Sequence, residues 1–262
     1  MRAAVSTHTT GFLALRALRA PQWAYFAVLP LAGALTFEPT RIALSLFVAS
    51  ASLAFAYGLN AVTERHTDAS ASKNPLVGFA TVPRSVTLTL AACVFLALSG
   101  AAILGTSSLI AVSVSLAAGA LYSAGPRLKS WPGAGLVANT LIFVPLLSIG
   151  VTGRSLPSAF PELSLVFTAL LLQNQLVHEL ADAKEDEAAQ ALTTARSLGI
   201  VGTRALIIGI AIAAVLITRS FAALIIPTLI TFIPGDWSRR RKAHRLASIV
   251  SGAALFASGF AS

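Results

Sequence analysis

Nine apolar runs of 14 to 22 residues occupy most of this 262-residue chain, near 22–37, 41–62, 84–104, 107–124, 135–152, 160–180, 197–218, 221–234 and 244–260. About 20 apolar residues cross the hydrocarbon of a bilayer as a helix, and backbone N–H and C=O groups left unpaired in lipid are costly. Runs of this length in series therefore predict an all-α polytopic membrane bundle of about nine transmembrane helices, formed as a single domain over residues 1–262. Only 11% of the residues are charged, against roughly 25% in a soluble domain. The two shorter runs, 22–37 and 221–234, are expected to extend into their flanks or to cross at a thinned edge.

Glycine, alanine and serine recur through the runs, as in AAGALYSAG from Ala117 to Gly125, and small residues let helices approach closely in lipid. Pro30, Pro145 and Pro227 lie inside predicted spans, where each should kink its helix or leave a carbonyl for a neighbour. The single cysteine, Cys93, lies in an apolar run and is read as packing; it excludes an intrachain disulfide.

The formal charge is +9, yet no soluble basic region exists to carry nucleic acid, so the basic residues are read as membrane-surface groups. Residues 1–20 place Arg2, Arg16 and Arg19 around Phe12, Leu13, Leu15 and Leu18, which predicts an amphipathic interfacial segment and not a signal peptide. With nine spans, sixteen of the nineteen Lys and Arg residues fall on one side, leaving Arg41, Arg154 and Arg219 on the other. Positive residues mark the cytoplasmic side. The chain is thus expected to be multi-pass in the cell inner membrane, with a cytoplasmic N-terminus. The run Arg239 to Lys242 reads as a positive-inside anchor, with contact to anionic membrane lipid a second role.

Two polar stretches interrupt this pattern, both on the predicted cytoplasmic side. In the first, Asn60 to Gly78, residues Asn60, Glu64 and Asp68 are four apart; on a helix each follows the last by about 40°, so all three share a face. In the second, His178 to Thr194, residues Glu179, Asp182 and Asp186 are spaced three and four apart and also share a face. Two acidic faces suggest one site at a common aqueous mouth. Carboxylates and an amide oxygen suit a hard cation, and Mg²⁺ takes one or two protein carboxylates while keeping phosphate oxygens of a substrate. Arg65, Lys73, Arg127 and Lys129 lie beside or between the acids, as groups that hold phosphate should. His66 and His178 are read as surface groups. No Asp, Glu, Lys or Arg falls near the middle of a span, where an ion-coupled carrier needs one, which argues against transport.

These residues resemble the UbiA superfamily of intramembrane prenyltransferases. Its first signature, Asn-Asp-x-x-Asp-x-x-x-Asp, is matched in register by Asn60, Ala61, Glu64 and Asp68. The segment SKNPLVG, Ser72 to Gly78, is similar to the family's Arg-Pro-Leu-x-x-Gly, with Asn74 where arginine is usual and one residue fewer before Gly78. The second signature, Asp-x-x-Asp-x-x-x-Asp-x-x-x-Gly-x-x-Thr, is matched by Glu179, Asp182, Asp186, Gln190 and Thr193. Between them YSAGPRLK, Tyr122 to Lys129, resembles the family's Tyr-Ser segment ending in Leu-Lys. Ala61 removes one acid, Glu64 and Glu179 are longer than aspartate, and Gln190 stands where the family has glycine.

The resemblance implies Mg²⁺-dependent transfer of an isoprenyl chain from a polyprenyl diphosphate donor to a small hydrophobic or aromatic acceptor. Asn60, Glu64, Asp68, Glu179, Asp182 and Asp186 would hold the metal, with Asp68, Asp182 and Asp186 catalytic. Arg65, Lys73, Tyr122, Arg127 and Lys129 would bind substrate. Tyr57 and Tyr122 are read as faces for a carbocation, and Phe79 as an interfacial anchor. Other chemistries of the same kind are phosphoribosyl transfer to a polyprenyl phosphate and cyclisation of the chain. A non-catalytic membrane binding protein or a small transporter is the alternative outside enzymes.

Overall fold

The computed structural model describes residues 7–33, 38–68, 70–149, 151, 160–218 and 220–261. Arg2, Arg154 and Arg219, used in the charge count, lie outside these residues, as does part of the expected span 22–37. In chain order the helices are α1 (Thr7–Ala17), α2 (Pro39–Glu64), α3 (Arg84–Leu104), α4 (Thr106–Ser123), α5 (Ala134–Phe143), α6 (Phe160–Ala188), α7 (Thr194–Thr218), α8 (Phe221–Ile230) and α9 (Trp237–Ala261). No strand occurs among the described residues.

Four of these helices, α2, α3, α4 and α7, are long and apolar enough to cross a bilayer. The set differs from the nine expected spans. The run 22–37 is a 3₁₀-helix over Ala24–Gly33 with Pro30 inside it, and 135–152 is divided, because α5 gives way to a 3₁₀ turn at Val144–Ser148 with Pro145 in its first positions. Proline lacks the N–H that would continue the α-ladder, and its ring crowds the preceding turn. α4 serves the broken segment: Ser115 Oγ donates to Ile142 O at 2.6 Å and Ser108 Oγ to Ile149 O at 3.0 Å. α8 is only 10 residues long and contains the buried Pro227.

The chain forms two compact units. The first comprises residues 1–127 and 141–155, and within it α2 packs against α3 and α4 through small residues. A Cβ on Gly100 of α3 would lie 2.6 Å from Val48 Cγ2 of α2, and one on Gly119 of α4 would lie 3.0 Å from Ala56 Cβ. Larger side chains at either place would push α2 away, so these glycines set the helix spacing. α1 is part of this core: Ala14 and Ala17 are buried with Ala61, Leu76, Val86 and Leu90. Leu13 and Leu18 are half-buried against the same cluster, while Phe12 and Leu15 are exposed, so the amphipathic segment expected from the sequence divides its large apolar residues between the core and the outside.

The second unit, residues 128–140 and 156–262, is built on α6. Leu176 and Val177 of α6 pack with Ile207 of α7 and Leu136 of α5, while Val166, Ala169 and Leu170 meet Ala214 and Leu224. The buried Gln173 ties three helices, its Nε2 reaching Ile207 O at 3.3 Å and Thr228 Oγ1 at 3.1 Å. α7 bends at Gly199, whose φ of 65° and ψ of 178° are non-helical. Thr203 Oγ1 donates to the Gly199 carbonyl at 2.7 Å, stabilising that bend.

Candidate functional site

The first acidic stretch is not one continuous helical face. α2 ends at Glu64 with Arg65 as its C-cap, and Thr67 N and Asp68 N both donate to Glu64 O at 2.9 Å. Asp68 therefore follows a turn, which corrects the expectation that helix spacing places it with Asn60 and Glu64. Side chains satisfy other carbonyls that a helix C-terminus leaves without partners: Arg65 Nη1 donates to Val62 O at 2.8 Å, and Asn74 Nδ2 to Ala61 O at 2.8 Å.

Within this unit Asn60 Nδ2 donates to Glu64 Oε2, and Asn60 Oδ1 accepts from Ser123 Oγ of α4 at 3.3 Å. Glu64 Oε2 also meets Arg19 Nη1 at 3.5 Å. Arg19 is buried and lies in the left-handed region at φ 54°; nothing local in the sequence pairs it with a residue 45 positions away. The Asp68 side chain is 4% exposed, with Lys73 Nζ at 3.4 Å from Oδ1. Asn74 Nδ2 donates to Asp68 Oδ2 at 2.9 Å, and Asn74 Oδ1 accepts from Leu76 N at 3.0 Å. The amide thus takes up a position beside Asp68. Tyr122 is half-buried in the last turn of α4. Beyond it Arg127 adopts φ 49°, and its Nε is buried with no hydrogen-bond partner among the described residues. The Tyr57 ring stands edge-on to Phe143 at 6.5 Å, and Phe79 is exposed.

The second acidic stretch does lie on a helix, since α6 runs to Ala188. Its three carboxylates have different surroundings. Glu179 is 5% exposed; its Oε2 accepts from Ala195 N in the first turn of α7 at 2.9 Å and its Oε1 from Gln175 Nε2 at 3.3 Å. An acid that receives an otherwise unpaired first-turn N–H acts as a cap for α7. Asp182 Oδ1 meets Arg241 Nη1 of α9 at 2.9 Å, and its Oδ2 lies 3.1 Å from His178 Nδ1. Asp186 stands in the last turns of α6, where its carbonyl accepts from Ala191 N at 2.8 Å and from Arg196 Nη1 at 3.3 Å.

The end of α6 explains the glycine of the resembled pattern. Gln190 N donates to Glu187 O and Ala191 N to Asp186 O, a pairing that closes a helix when the intervening residue is left-handed. Gln190 is that residue, at φ 54°. Lys129 lies in the 3₁₀ turn Leu128–Ser130, and the following Gly133 N donates to Thr194 Oγ1 at 2.9 Å. The Lys129 loop and the acidic stretch are thereby both tied to the start of α7. Within either unit, no three described His, Cys, Asp or Glu residues form a group that holds a metal ion. Sequence reasoning missed Arg19 and Arg241, and read the latter only as part of a surface anchor.

No protein-family model matches the chain, and no curated protein matches it. Solved structures do. A UbiA homologue from Archaeoglobus fulgidus bound to DMAPP and Mg²⁺ is 22% identical, with a TM-score of 0.72 over 93% of this chain and 99% of that one. A digeranylgeranylglyceryl phosphate synthase structure is 12% identical, with a TM-score of 0.74 over 96% and 99%. The apo structure of a UbiA homologue from Aeropyrum pernix K1 is 15% identical, with a TM-score of 0.65 over 98% of both chains. The chain has the fold of the UbiA superfamily. With four helices able to cross a bilayer, it is an integral membrane protein.

Proposed function

We propose that this chain, which has the UbiA fold, is a Mg²⁺-dependent prenyltransferase acting on a polyprenyl diphosphate and a small hydrophobic or aromatic acceptor. The observation that carries the reading is the coincidence of that fold, over 93% of the chain in the DMAPP- and Mg²⁺-bound homologue, with acidic stretches in which carboxylates lie beside cations. Asp68 pairs with Lys73, and Asp182 with Arg241.

The donor atoms fit the metal. Hard carboxylate oxygens suit Mg²⁺, which is commonly held by one or two protein carboxylates while substrate phosphates supply further oxygens. In the first unit Asp68, with Asn60 and Glu64 near it, would offer oxygens to Mg²⁺, and in the second unit Asp182 and Asp186 would do so; Glu179, engaged with Ala195 N, is assigned the smaller share. Mg²⁺ supplies charge compensation for the diphosphate as the allylic carbon–oxygen bond breaks.

The chain's own groups do the rest. In the first unit Arg127, with a buried guanidinium N–H that has no partner among the described residues, and Lys73 are donors for the diphosphate, and in the second unit Lys129 is another, since cationic donors bind phosphate oxygens strongly. Arg65 gives one N–H to Val62 O and offers its others to the same anion, with Tyr122 beside the donor. Apolar helices exclude water from the allylic carbocation, and Tyr57 presents an aromatic face to it.

The test is product analysis by mass spectrometry after incubating the membrane-reconstituted protein with prenyl diphosphates of graded length, a panel of aromatic acceptors, and Mg²⁺ or chelator. A Mg²⁺-dependent prenylated acceptor is expected. A cyclised hydrocarbon, a ribosylated polyprenyl phosphate, or no product from any donor would each replace the reading.

A further inference from the structure

The basic run at the start of α9 divides by direction. The Arg239 side chain is 89% exposed and pairs with Asp236 at 3.3 Å. The Arg240 guanidinium lies over the Trp237 ring at 4.4 Å, with its Nε on Ile233 O at 2.7 Å. Both stay with their own loop. Arg241, one position on, instead reaches α6, where Nη1 is 2.9 Å from Asp182 Oδ1 and 3.1 Å from His178 Nδ1. Its side chain is 28% exposed and that of Asp182 21%, so the pair is half-buried at the contact of two long helices.

A guanidinium on a carboxylate oxygen cancels much of the charge that a divalent cation would meet there, and two cations sharing one carboxylate repel each other. A diphosphate reverses this balance. It brings negative charge enough for both cations, and a guanidinium binds phosphate oxygens through paired N–H donors. We infer that Arg241 is a positioning residue that holds Asp182 against a bare divalent cation and turns to the diphosphate when cation and diphosphate arrive together. This rests on the reading of the chain as a Mg²⁺-dependent enzyme of prenyl diphosphates. Its consequence is coupling: cation and diphosphate each raise the affinity for the other, by the same factor, and Arg241 supplies part of that factor.

The experiment titrates the full-length protein in nanodiscs with Mn²⁺, read by electron paramagnetic resonance, with and without inorganic diphosphate. Arg241→Gln should bind Mn²⁺ alone roughly tenfold more tightly than wild type, and Mn²⁺ with diphosphate roughly tenfold more weakly; Arg241→Lys should fall between. Opposite signs are the signature, because a merely structural contact would weaken both. Asp182→Asn, which removes the carboxylate charge from beside the guanidinium, should bind diphosphate without metal more tightly than wild type, and gives an independent readout should Arg241→Gln not fold. Affinities that move in the same direction, or stay at wild-type values in all variants, overturn the role of Arg241 and leave the enzyme reading standing. A wild-type protein that binds Mn²⁺ no more tightly with diphosphate than without it overturns both.

Discussion

One buried amide joins a carboxylate to the helix that precedes it: Asn74 Nδ2 lies 2.9 Å from Asp68 Oδ2 and 2.8 Å from the carbonyl of Ala61 in α2. Asn74 is fully buried, and its Oδ1 accepts from Leu76 N, so each of its polar atoms has a partner. The side chain closes the end of α2 and fixes where Asp68 stands. Asn74→Ala should therefore cost about 2–3 kcal/mol, since it removes several buried hydrogen bonds at once. Asn74→Asp should cost more, by placing a second carboxylate against Asp68. Thermal melting in detergent tests both; an Ala variant as stable as wild type would leave Asp68 without this support.

Gln190 occupies the left-handed position that ends α6, where a Cβ is strained and glycine is not. Gln190→Gly relieves that strain but gives the unfolded chain more freedom, which offsets part of the gain. The net expectation is stabilisation of about 0.5–1 kcal/mol, seen as a higher melting temperature. A lower one would mean that the glutamine side chain contributes something the strain argument omits.

Glu179 separates folding from ion binding. Because its Oε2 receives the Ala195 N–H in a buried setting, Glu179→Ala should destabilise by about 1–3 kcal/mol. Glu179→Gln, which keeps an oxygen able to accept that N–H, should cost less. Melting curves for the two variants give the comparison. Equal stability of both with wild type, accompanied by loss of Mn²⁺ affinity in both, would make Glu179 a ligand and not a cap.

Much of this was legible in the sequence because the signals are local. The runs 84–104 and 107–124 correspond to α3 and α4, since apolar length alone dictates a helix in lipid. The acidic residues of α6 share a helix because nothing between Glu179 and Asp186 stops one. At Asn60 to Asp68 the same spacing misled: side-chain and backbone donors gather at the carbonyls of Ala61, Val62 and Glu64, and α2 ends before Asp68. The pairs Arg19–Glu64 and Arg241–Asp182 are long-range ion contacts, which no spacing rule reports. The run 22–37 has the composition of a span, but within it Ala24–Gly33 folds as 3₁₀ around Pro30.

Orientation is open to direct measurement. The nine-span reading of the sequence, which puts sixteen of the nineteen Lys and Arg residues on one side, predicts that reporters fused after Arg84, Lys129, Arg204 and Arg245 read cytoplasmic, and that fusions at Arg41 and Arg154 read outside. An external reading after Asp186 would contradict the expectation that the second acidic stretch faces the cytoplasm.

The central claim is that carboxylates of both stretches support metal-dependent loss of diphosphate from a prenyl donor. The direct measurement is diphosphate released by purified protein in lipid, with Mg²⁺ and with chelator, for wild type, Asp68→Asn and Asp186→Asn. An amide oxygen binds a hard cation more weakly than a carboxylate of the same size. Both variants should remain folded and membrane-inserted, lose most turnover, and recover part of it at raised Mg²⁺. Asp68→Asn should lose at least as much as Asp186→Asn, because Ala61 leaves the first stretch with one acid fewer. Wild-type protein that binds a prenyl diphosphate yet releases none, with any acceptor or with water, whatever the metal, would contradict the claim and make the chain a non-catalytic binding protein.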